Sequence, residues 1–282
     1  AQMSELDRPL SGSVVAISGG TGGIGMATAR SLVAAGAKVA LGDLDGDSAA
    51  AEAASLGEGN FGGQLDVTDF GSFEAFVDAA EAELGPLDGL VNNAGVMILG
   101  ALEEESVEAT EKSIQVNLFG VINGTKIAMK RMKPRGRGQI VNIASQAGKT
   151  GFPGGATYCA TKFAVVGLCE SVRNELADTG VGVTCVMPGP VQTELAAGIG
   201  NARGVRWLLP SEVGEGITRA IAENQAEVWL PPSTRFLQPP TSILPAGARD
   251  WLMKMFNADT VLAHRESDPG RVAYEEKVLK GD

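Results

Sequence analysis

The sequence predicts an α/β fold in which a doubly wound parallel sheet is covered by helices on both faces. Short β-branched runs alternate with alanine-rich amphipathic stretches along most of the chain, which is typical of repeated βαβ units. The glycine-dense stretch 17–25, "ISGGTGGIG", follows the first such run and opens the first helical stretch. This strand–glycine turn–helix context is that of a nucleotide-binding turn, so the expected fold is of the Rossmann type.

Seven strands and six helical stretches are predicted in alternation. The strands are expected at residues 13–18, 38–43, 61–67, 87–95, 138–145, 182–188 and 226–231. The helical stretches are expected at 23–36, closed by Gly36, then at 47–57, 69–85, about 104–133, 156–179 and 211–223, the last with Ser211 as its N-cap.

Composition divides the chain into three parts. Residues 11–230 show no compositional break and are expected to form one catalytic domain after a flexible N-terminus at 1–10. Pro231, Pro232, Pro239, Pro240 and Pro245 punctuate the rest, which predicts an appendage over 231–282 that ends in a frayed charged tail. Within it, "WLMKMF" (251–256) places its large apolar residues near one helical face, and capping of the core is the leading interpretation.

Charge and composition exclude several classes of function. A net charge of −11 and a pI near 4.7 argue against nucleic acid as a partner, and membrane contact is not expected. No secretory signal and no run of eighteen apolar residues is visible, and three cysteines without a C-x-x-C pair indicate a reducing compartment; we therefore expect a cytoplasmic protein. His264 is the single histidine, so neither a histidine triad nor a multi-histidine metal site is available, and no metal is predicted.

The glycine turn can be aligned in two registers. Gly20, Gly22 and Gly25 spell G-x-G-x-x-G, whereas Gly19, Gly23 and Gly25 spell G-x-x-x-G-x-G. In either register, free backbone N–H groups and the positive end of the helix dipole would favour a pyrophosphate. A turn that is rich in glycine for packing alone would look the same.

Asp43 ends the second predicted strand, at about the interval from the glycine turn where a carboxylate meets a ribose 2′-hydroxyl. A carboxylate accepts hydrogen bonds from the diol and repels a 2′-phosphate. Leu44 follows it, and the glycine turn contains no lysine or arginine. These features favour NAD over NADP, although a solvated aspartate in an acidic loop remains the alternative.

Tyr158 and Lys162 lie four residues apart in a predicted helix and therefore share one face. A nearby ammonium favours the phenolate and should lower the pKa of the phenol, which makes the pair a proton donor and acceptor suited to a carbonyl/alcohol interconversion. Ser145 stands at the end of the preceding strand, where its hydroxyl could bind the substrate oxygen. Alone, the Y-x-x-x-K spacing also fits an ordinary surface pair.

With these residues the chain resembles a short-chain dehydrogenase/reductase from about residue 10 to residue 230. The family's motifs occur in the correct order as Ser18-Gly19-x-x-x-Gly23-x-Gly25, Asn92-Asn93-Ala94-Gly95, the helical Asn117, then Ser145, Tyr158 and Lys162, and finally Pro188-Gly189-Pro190-Val191-Gln192-Thr193. Each motif is modest, but six in order are specific. Ser18 replaces the usual threonine and keeps its hydroxyl, and a glycine-rich ending after the last strand is missing.

The resemblance implies a role for each matching residue. Tyr158 would be the acid/base, Lys162 would hold the nicotinamide ribose and lower the phenol pKa, and Ser145 would polarise the carbonyl. Asn117 would bend its helix and hold a water in a proton relay, although a helix-surface amide is the alternative. Asp66 would contact the adenine and Thr193 the carboxamide, and the remaining implied cofactor contacts are Gly19, Thr21, Gly22, Gly23, Ile24, Asp43, Leu44, Val67, Asn93, Ala94, Gly95, Pro188, Gly189 and Val191.

The family's substrate lid corresponds to residues 194–210, which are largely apolar here. Its expected wall residues are Leu195, Ile199, Val205, Trp207, Leu208 and Leu209, joined by Met97 and Phe152. An NAD-dependent dehydrogenase of a bulky apolar secondary alcohol is therefore the expected function. An NADPH-dependent carbonyl or 3-oxoacyl reductase and a non-catalytic nucleotide-sensing protein are the alternatives. The resemblance also implies a homodimer, with a homotetramer in doubt because the usual C-terminal ending is missing.

Overall fold

The computed structural model describes residues 10–200, 206–236, 245, 247–248 and 268–280. Seven strands form one parallel sheet, which confirms the predicted fold class. They are β1 (Val14–Ser18), β2 (Lys38–Asp43), β3 (Phe61–Gln64), β4 (Gly89–Asn92), β5 (Gly138–Ile143), β6 (Val181–Pro188) and β7 (Glu227–Leu230). Their spatial order is β3-β2-β1-β4-β5-β6-β7, so the chain reverses direction across the sheet between β1 and β4.

Helices follow the strands in the predicted alternation. They are α1 (Gly23–Ala34), α2 (Gly46–Ser55), α3 (Phe70–Leu84), α4 (Val107–Ile114), α5 (Gly120–Met132), α6 (Ala156–Glu175), α7 (Pro210–Ala222) and α8 (Pro269–Lys280). Gly36 follows the end of α1 with a φ of +86°, the left-handed conformation that suits glycine after a helix.

The sheet separates two apolar layers. Phe73 of α3, Ile127 of α5 and Val165 of α6 pack on one face, and Leu32 of α1 and Ile217 of α7 pack on the other; all five are fully buried. Central strands that are covered on both faces need apolar residues at consecutive positions. This explains why the central strands read as continuous apolar runs in the sequence.

Helix α7 begins differently from the sequence prediction. Its N-cap is Leu209 and its first residue is Pro210, so Ser211 lies inside the helix and is not the cap. Proline fits the first helical position because the N–H that it lacks has no helical partner there. Glu212 completes the start of the helix by accepting a hydrogen bond from the N–H of Leu209 at 2.9 Å.

The predicted helical stretch around 104–133 is interrupted. One π-helical turn, Gln115–Phe119, joins α4 to α5 and carries Asn117. Such turns insert one extra residue into a helix and often occur at functional sites. The interruption agrees with the bend that the family resemblance implied at this position.

The C-terminal region differs from the expected frayed tail. Residues 269–280 form α8, on which Arg271, Tyr274 and Val278 are buried. These three side chains recur at intervals of three and four residues, so one face of α8 packs against the rest of the protein. The segment 251–256 lies outside the described residues.

Three expectations from composition concern membranes, metals and cysteines. No helix in the described ranges is long and apolar enough to cross a membrane. The same residues contain no group of three or more histidine, cysteine and acidic side chains that could hold a metal ion. Cys159, Cys169 and Cys185 are buried free thiols.

Candidate active site

The carboxyl ends of the strands open into a cavity of about 860 Å³. It lies where the chain reverses direction between β1 and β4, the position at which ligands bind in open parallel sheets. The catalytic and cofactor-binding residues proposed from the sequence line this cavity, with the single exception of Asn117. They are Gly19, Thr21, Gly22, Gly23, Ile24, Asp43, Leu44, Asp66, Val67, Asn93, Ala94, Gly95, Ser145, Tyr158, Lys162, Pro188, Gly189, Val191 and Thr193.

The packing of the glycine turn distinguishes its two registers. Gly19 has a φ of +62°, and a Cβ on Gly23 would lie 2.9 Å from Thr193 Cγ2. A Cβ on Gly25 would overlap the carbonyl oxygen of Gly19, whereas one on Gly22 would make only an ordinary contact. The register Gly19, Gly23 and Gly25 is therefore the sterically required one. Gly20, which belongs to the other register, is constrained as well, since a Cβ there would lie 2.9 Å from Leu41 Cβ. The sequence alone did not indicate this contact with Leu41.

Helix α1 begins beside the cavity without a side-chain cap. Gly22 is its N-cap in an extended conformation, and no side chain accepts from the amides of the first turn. These N–H groups, together with the positive end of the helix dipole, form a site for negatively charged oxygens. The pyrophosphate of a dinucleotide fits this site chemically, and the glycines of the turn let it approach the backbone.

Ser18 and Asn93 tie the glycine turn to the end of β4. Ser18 Oγ accepts hydrogen bonds from the backbone N–H groups of Asn93 and Ala94, each at 3.1 Å. Asn93 Nδ2 donates in return to the carbonyl oxygens of Ser18 and Gly19 at 3.0 and 2.9 Å. A hydroxyl is thus required at position 18, and serine supplies it as well as threonine would.

Asp43 holds the other side of the turn. Its Oδ2 accepts from Thr21 Oγ1 at 2.5 Å and from Thr21 N at 3.1 Å, and its Oδ1 accepts from Leu44 N at 2.9 Å. The carboxylate is therefore an anchor of the turn as well as a cavity residue. It has further lone pairs for a diol, because an ionised carboxyl offers about four acceptor positions.

Asp66 lies farther along the same wall, where it orders the loop after β3. Its Oδ1 accepts from the backbone N–H of Thr68 at 2.9 Å and from Thr68 Oγ1 at 2.7 Å, and its own N–H donates to Ser72 Oγ. Asp66 and Val67 both border the cavity. The structure thus brings a polar and an apolar residue to the end of the cavity that Asp43 and Leu44 also line.

Ser145, Tyr158 and Lys162 meet at the centre of the cavity. Ser145 ends the segment after β5, and its Oγ donates to the carbonyl oxygen of Pro188 at 3.5 Å. Tyr158 and Lys162 lie in the first two turns of α6, and both are buried. Lys162 Nζ lies 5.7 Å from the centre of the Tyr158 ring and donates to the carbonyl oxygen of Ile143 at 2.9 Å.

The pKa of Tyr158 is shifted in the direction opposite to the one that the Tyr–Lys spacing predicted. Burial raises the pKa of Tyr158 well above its usual value of 10, and only a hydrogen bond with Ser145 acts in the lowering direction. Burial also lowers the pKa of Lys162 to about 8. Desolvation therefore sets the direction of both pKa shifts, because both side chains are buried.

Asn117 stands behind the cavity wall and is fully buried. Its Oδ1 accepts from the N–H of Val96 and its Nδ2 donates to the carbonyl oxygen of Val96, both at 2.8 Å. The amide group is thus bonded to the backbone that follows β4, with a longer contact of 3.4 Å to Thr161 Oγ1. The structure does not bring Asn117 to the cavity surface, and its visible effect is to fix the loop from Gly95 to Val96.

The distal part of the cavity is largely apolar. The predicted wall residues that line it are Met97, Phe152, Leu195, Ile199 and Trp207. The ring of Phe152 lies 6.5 Å from that of Tyr158. Two predicted wall residues lie elsewhere, since Leu208 packs in the core beside α7 and Leu209 is exposed at the cap of that helix. Val205 lies outside the described residues.

Helix α8 supplies part of the wall that the sequence analysis missed. Tyr274, Lys277 and Val278 line the cavity, and Lys277 Nζ lies 3.8 Å from Glu194 Oε1. The signal was the recurrence of Arg271, Tyr274 and Val278 on one helical face. The arginine that begins this pattern concealed it, because arginine is rarely a buried residue.

The model of the family described as short chain dehydrogenase matches residues 13–204, more than half of the chain. The chain belongs to this family. The short-chain dehydrogenase match includes the glycine turn, the π-helical turn that carries Asn117, helix α6 with Tyr158 and Lys162, and the beginning of the lid segment. It ends before α8.

Characterised relatives support the same assignment. The 3-alpha-(or 20-beta)-hydroxysteroid dehydrogenase of Mycobacterium tuberculosis is 40% identical over 186 residues, which cover 66% of this chain and 72% of that protein. The inactive 2-(S)-hydroxypropyl-CoM dehydrogenase 2 of Xanthobacter autotrophicus is 44% identical over 163 residues, which cover 58% of this chain and 71% of that protein. Identity at this level therefore includes proteins that differ in activity.

Two solved structures resemble this short-chain dehydrogenase over most of its length. The 3-ketoacyl-(acyl-carrier-protein) reductase of Brucella melitensis, complexed with NADH, superposes with a TM-score of 0.72 at 26% identity and covers 78% of this chain and 97% of its own. A short-chain dehydrogenase/reductase of Burkholderia phymatum in complex with NAD gives 0.75 at 27% identity, with coverage of 82% and 93%. Both of these proteins were solved with a nicotinamide cofactor bound.

Proposed function

We propose that this short-chain dehydrogenase interconverts a bulky apolar secondary alcohol and its ketone with NAD as the cofactor. The observation that carries this proposal is the meeting of Ser145, Tyr158 and Lys162 in one cavity with an uncapped, glycine-lined helix N-terminus. The turn and helix end can hold the phosphates, while the hydroxyl, phenol and ammonium groups can manage the proton of an alcohol.

Each of the three central residues has a distinct part. Tyr158 exchanges a proton with the substrate oxygen at its phenol oxygen, and Ser145 donates a hydrogen bond that keeps this oxygen within reach. Lys162 is largely protonated at pH 7, because the pKa of its ammonium is about 8. Its charge supports the phenolate that forms when Tyr158 gives up its proton. The nicotinamide, when bound, supplies the hydride chemistry.

Asn117 acts indirectly in this proposal, through the backbone after β4. Its two hydrogen bonds to Val96 hold the loop that follows Gly95, and Gly95 borders both Asn117 and Lys162. A Cβ on Gly95 would lie 3.2 Å from Asn117 Oδ1 and 3.7 Å from Lys162 Nζ. Asn117 therefore positions the backbone against which Lys162 is placed.

The preference for NAD over NADP rests on the acidic surroundings of the adenosine end. Asp43 lies beside the turn, and the neighbouring cavity residues include Leu44, Glu52 and Asp66. A 2′-phosphate would meet carboxylates there with no arginine among the lining residues. Strong preference for NADPH in a comparison of the two cofactors would overturn this part of the proposal and favour a carbonyl or 3-oxoacyl reductase.

The apolar distal wall supports a bulky substrate. Met97, Phe152, Leu195 and Trp207 offer a surface that suits a ring system or a long alkyl chain better than a sugar. The relative from Mycobacterium tuberculosis carries the name of a hydroxysteroid dehydrogenase, which agrees with this size and polarity. We propose a steroid-like alcohol or ketone as the substrate type.

A non-catalytic nucleotide-binding protein is the second candidate, because one relative at 44% identity is named inactive. Retention of Ser145, Tyr158 and Lys162 at one centre favours catalysis in this chain.

The deciding experiment follows NADH absorbance with a panel of apolar secondary alcohols and NAD. Tyr158→Phe should lose roughly 100- to 10,000-fold in kcat, since it removes the acid/base group and keeps the ring. The binding of NAD, measured by calorimetry, should change little. Equal turnover by Tyr158→Phe and the unaltered protein would refute the assignment of Tyr158, and NAD binding without any turnover would favour the second candidate.

We further propose a homodimer in a reducing, cytoplasmic environment. Phe119 and Phe163 are 47% and 46% exposed on neighbouring helical segments, where such large apolar side chains suit a protein interface. The three free buried thiols support the compartment. Light scattering of the unaltered protein and of Phe163→Glu tests the interface. We expect the mass of a dimer for the unaltered protein and that of a monomer for the variant, and the same mass for both would exclude this interface.

A further inference from the structure

Helix α8 is fastened to the cavity by a buried arginine. Arg271 is 1% exposed, and its Nε donates to Glu275 Oε1 at 2.8 Å. Its two terminal nitrogens donate to the carbonyl oxygens of Leu195, at 2.9 Å, and of Met97. One planar guanidinium thus joins α8 both to the loop after β4 and to the first residues of the lid segment.

These contacts also fix the position of Tyr274. The Arg271 guanidinium lies 5.0 Å from the centre of the Tyr274 ring, and Glu275 accepts a further hydrogen bond from Leu99 N at 3.2 Å. The hydroxyl oxygen of Tyr274 accepts from the N–H of Met97 at 3.2 Å. The phenol is therefore held from both ends, and it borders the cavity.

The hydroxyl of Tyr274 has an acceptor role but no visible use for its proton. Among the described residues, no oxygen or nitrogen accepts a hydrogen bond from it, and the side chain is 7% exposed. A buried donor without an acceptor costs free energy. In ligand cavities, a few such polar groups in an apolar wall fix the orientation of the ligand.

Tyr274 packs in a different cluster from Tyr158, and the two phenols are close enough to affect each other electrostatically. Tyr158 packs in a cluster with Met97, Leu99 and Ala147, whereas Tyr274 packs in another with Ile98 and Val278. The segment after β4 alternates its side chains between the two clusters. The two tyrosines therefore reach the cavity from different sides of that segment.

We propose that Tyr274 binds the substrate by donating its phenol proton to a second oxygen, distinct from the oxygen that reacts, and that Arg271 is the positioning residue for this contact. The inference rests on the proposed function and narrows it. The substrate class becomes apolar secondary alcohols, or their ketones, that carry a further carbonyl or hydroxyl group at the distal end.

Two probe substrates test the contact. One is a hydroxysteroid with a distal keto group, and the other is the same hydroxysteroid with a methylene at that position. Tyr274→Phe should lose about tenfold more kcat/KM with the keto compound than with the methylene compound, because only the keto compound loses a hydrogen bond. The comparison cancels the loss of the contact to Met97, since that loss is common to both substrates. Equal losses would overturn the proposal.

Variants of α8 separate positioning from general structural support. Arg271→Met should reduce the same preference for the keto compound, mainly through its KM. Lys280→Gln changes an exposed residue of the same helix and should keep the preference of the unaltered protein. If Arg271→Met lowered activity on both probes equally, Arg271 would have only a structural role.

A binding measurement distinguishes failure of this inference from failure of the proposed function. The corresponding diketone and monoketone are each titrated into the protein, and binding is followed by tryptophan fluorescence, since Trp207 and Trp229 line the cavity. If the unaltered protein oxidised neither probe but bound the diketone about tenfold more tightly, and Tyr274→Phe did not, the function would fail and the Tyr274 contact would stand. No preference in binding or turnover would overturn the contact.

Discussion

The two ends of the cavity are built in different ways. The adenosine and phosphate side of the proposed cofactor end comes from strand ends and turns between Ser18 and Gly95, and its shape depends on backbone sterics at the glycines. The proposed substrate end comes from distant segments. The hydrogen bond between Met97 and Tyr274, for example, joins residues 177 positions apart.

This difference explains what the family likeness covers. The family match ends at residue 204, so it includes the whole glycine turn and excludes α8. A cofactor shared by many proteins requires one backbone geometry, whereas each substrate requires its own wall. Residues of α8 therefore tell more about this particular protein than the shared motifs do. The following predictions test whether the two ends are as independent as their construction indicates.

The largest effect is expected for a methyl group added at the glycine turn. Gly25→Ala should destabilise the fold by about 3 kcal/mol and prevent NAD binding, because its Cβ would overlap the carbonyl oxygen of Gly19. Gly22→Ala is the matched control, since a Cβ at position 22 would lie 3.4 Å from its nearest neighbour, the carbonyl oxygen of Gly19. Denaturant unfolding measures the difference, and equal stability of the two variants would contradict the packing argument.

At the substrate end, Arg271→Met should leave the cofactor end intact. We expect the KM for a bulky alcohol to rise about tenfold, equivalent to about 1.4 kcal/mol, while the dissociation constant of NAD stays within about twofold. The reason is that Arg271 contacts the lid and the loop after β4 but none of the glycine turn. Steady-state kinetics and calorimetry measure the two constants, and a parallel loss of NAD affinity would show that the ends are coupled.

Lys162 lies between the two ends, and its burial predicts a pH-dependent stability. Its pKa of about 8 in the folded protein is below the ordinary value of 10.5, so the charged form is disfavoured by folding. This penalty is complete below pH 8 and disappears as the pH rises from 8 through 10.5. Lys162→Met should therefore be more stable than the unaltered protein by roughly 2 kcal/mol at pH 7, allowing for the lost hydrogen bond to Ile143.

At pH 10.5 the stability of Lys162→Met should match that of the unaltered protein more closely. The variant should lose turnover at every pH. Chemical denaturation across pH 7 to 10.5 measures the difference. A stability difference that did not vary with pH would mean that Lys162 is not desolvated in the folded state.

An effect as small as that of Arg271→Met is expected for one charge at the adenosine end. Asp43→Asn should reduce the preference for NAD over NADP by about tenfold, since it keeps the shape of the side chain and removes its charge. Asp47→Asn is the control, because Asp47 is exposed in the first turn of α2. Equal changes in the two variants would assign the preference to the acidic loop as a whole.

The sequence predicted all seven strands with their ends within a few residues, because their apolar runs are covered on both faces of a parallel sheet. It misplaced the start of α7 at Ser211, since a local preference for serine as a cap competed there with Pro210 and Glu212. The residues around the glycine turn could be chosen from spacing alone. The requirement for glycine at position 20 could not, because it depends on Leu41 in the neighbouring strand.

By itself, the sequence determined the sheet, the glycine turn and Ser145, Tyr158 and Lys162 as candidates, because local spacing and periodicity encode strand ends and helix faces. Asn117 was added only by the family resemblance. Only the tertiary structure decided how these groups interact. Burial reversed the expected direction of the Tyr158 pKa, and packing placed Asn117 behind the cavity wall. It also brought α8 from the far end of the chain to the substrate wall, since a buried arginine can be satisfied only by acceptors that folding assembles around it.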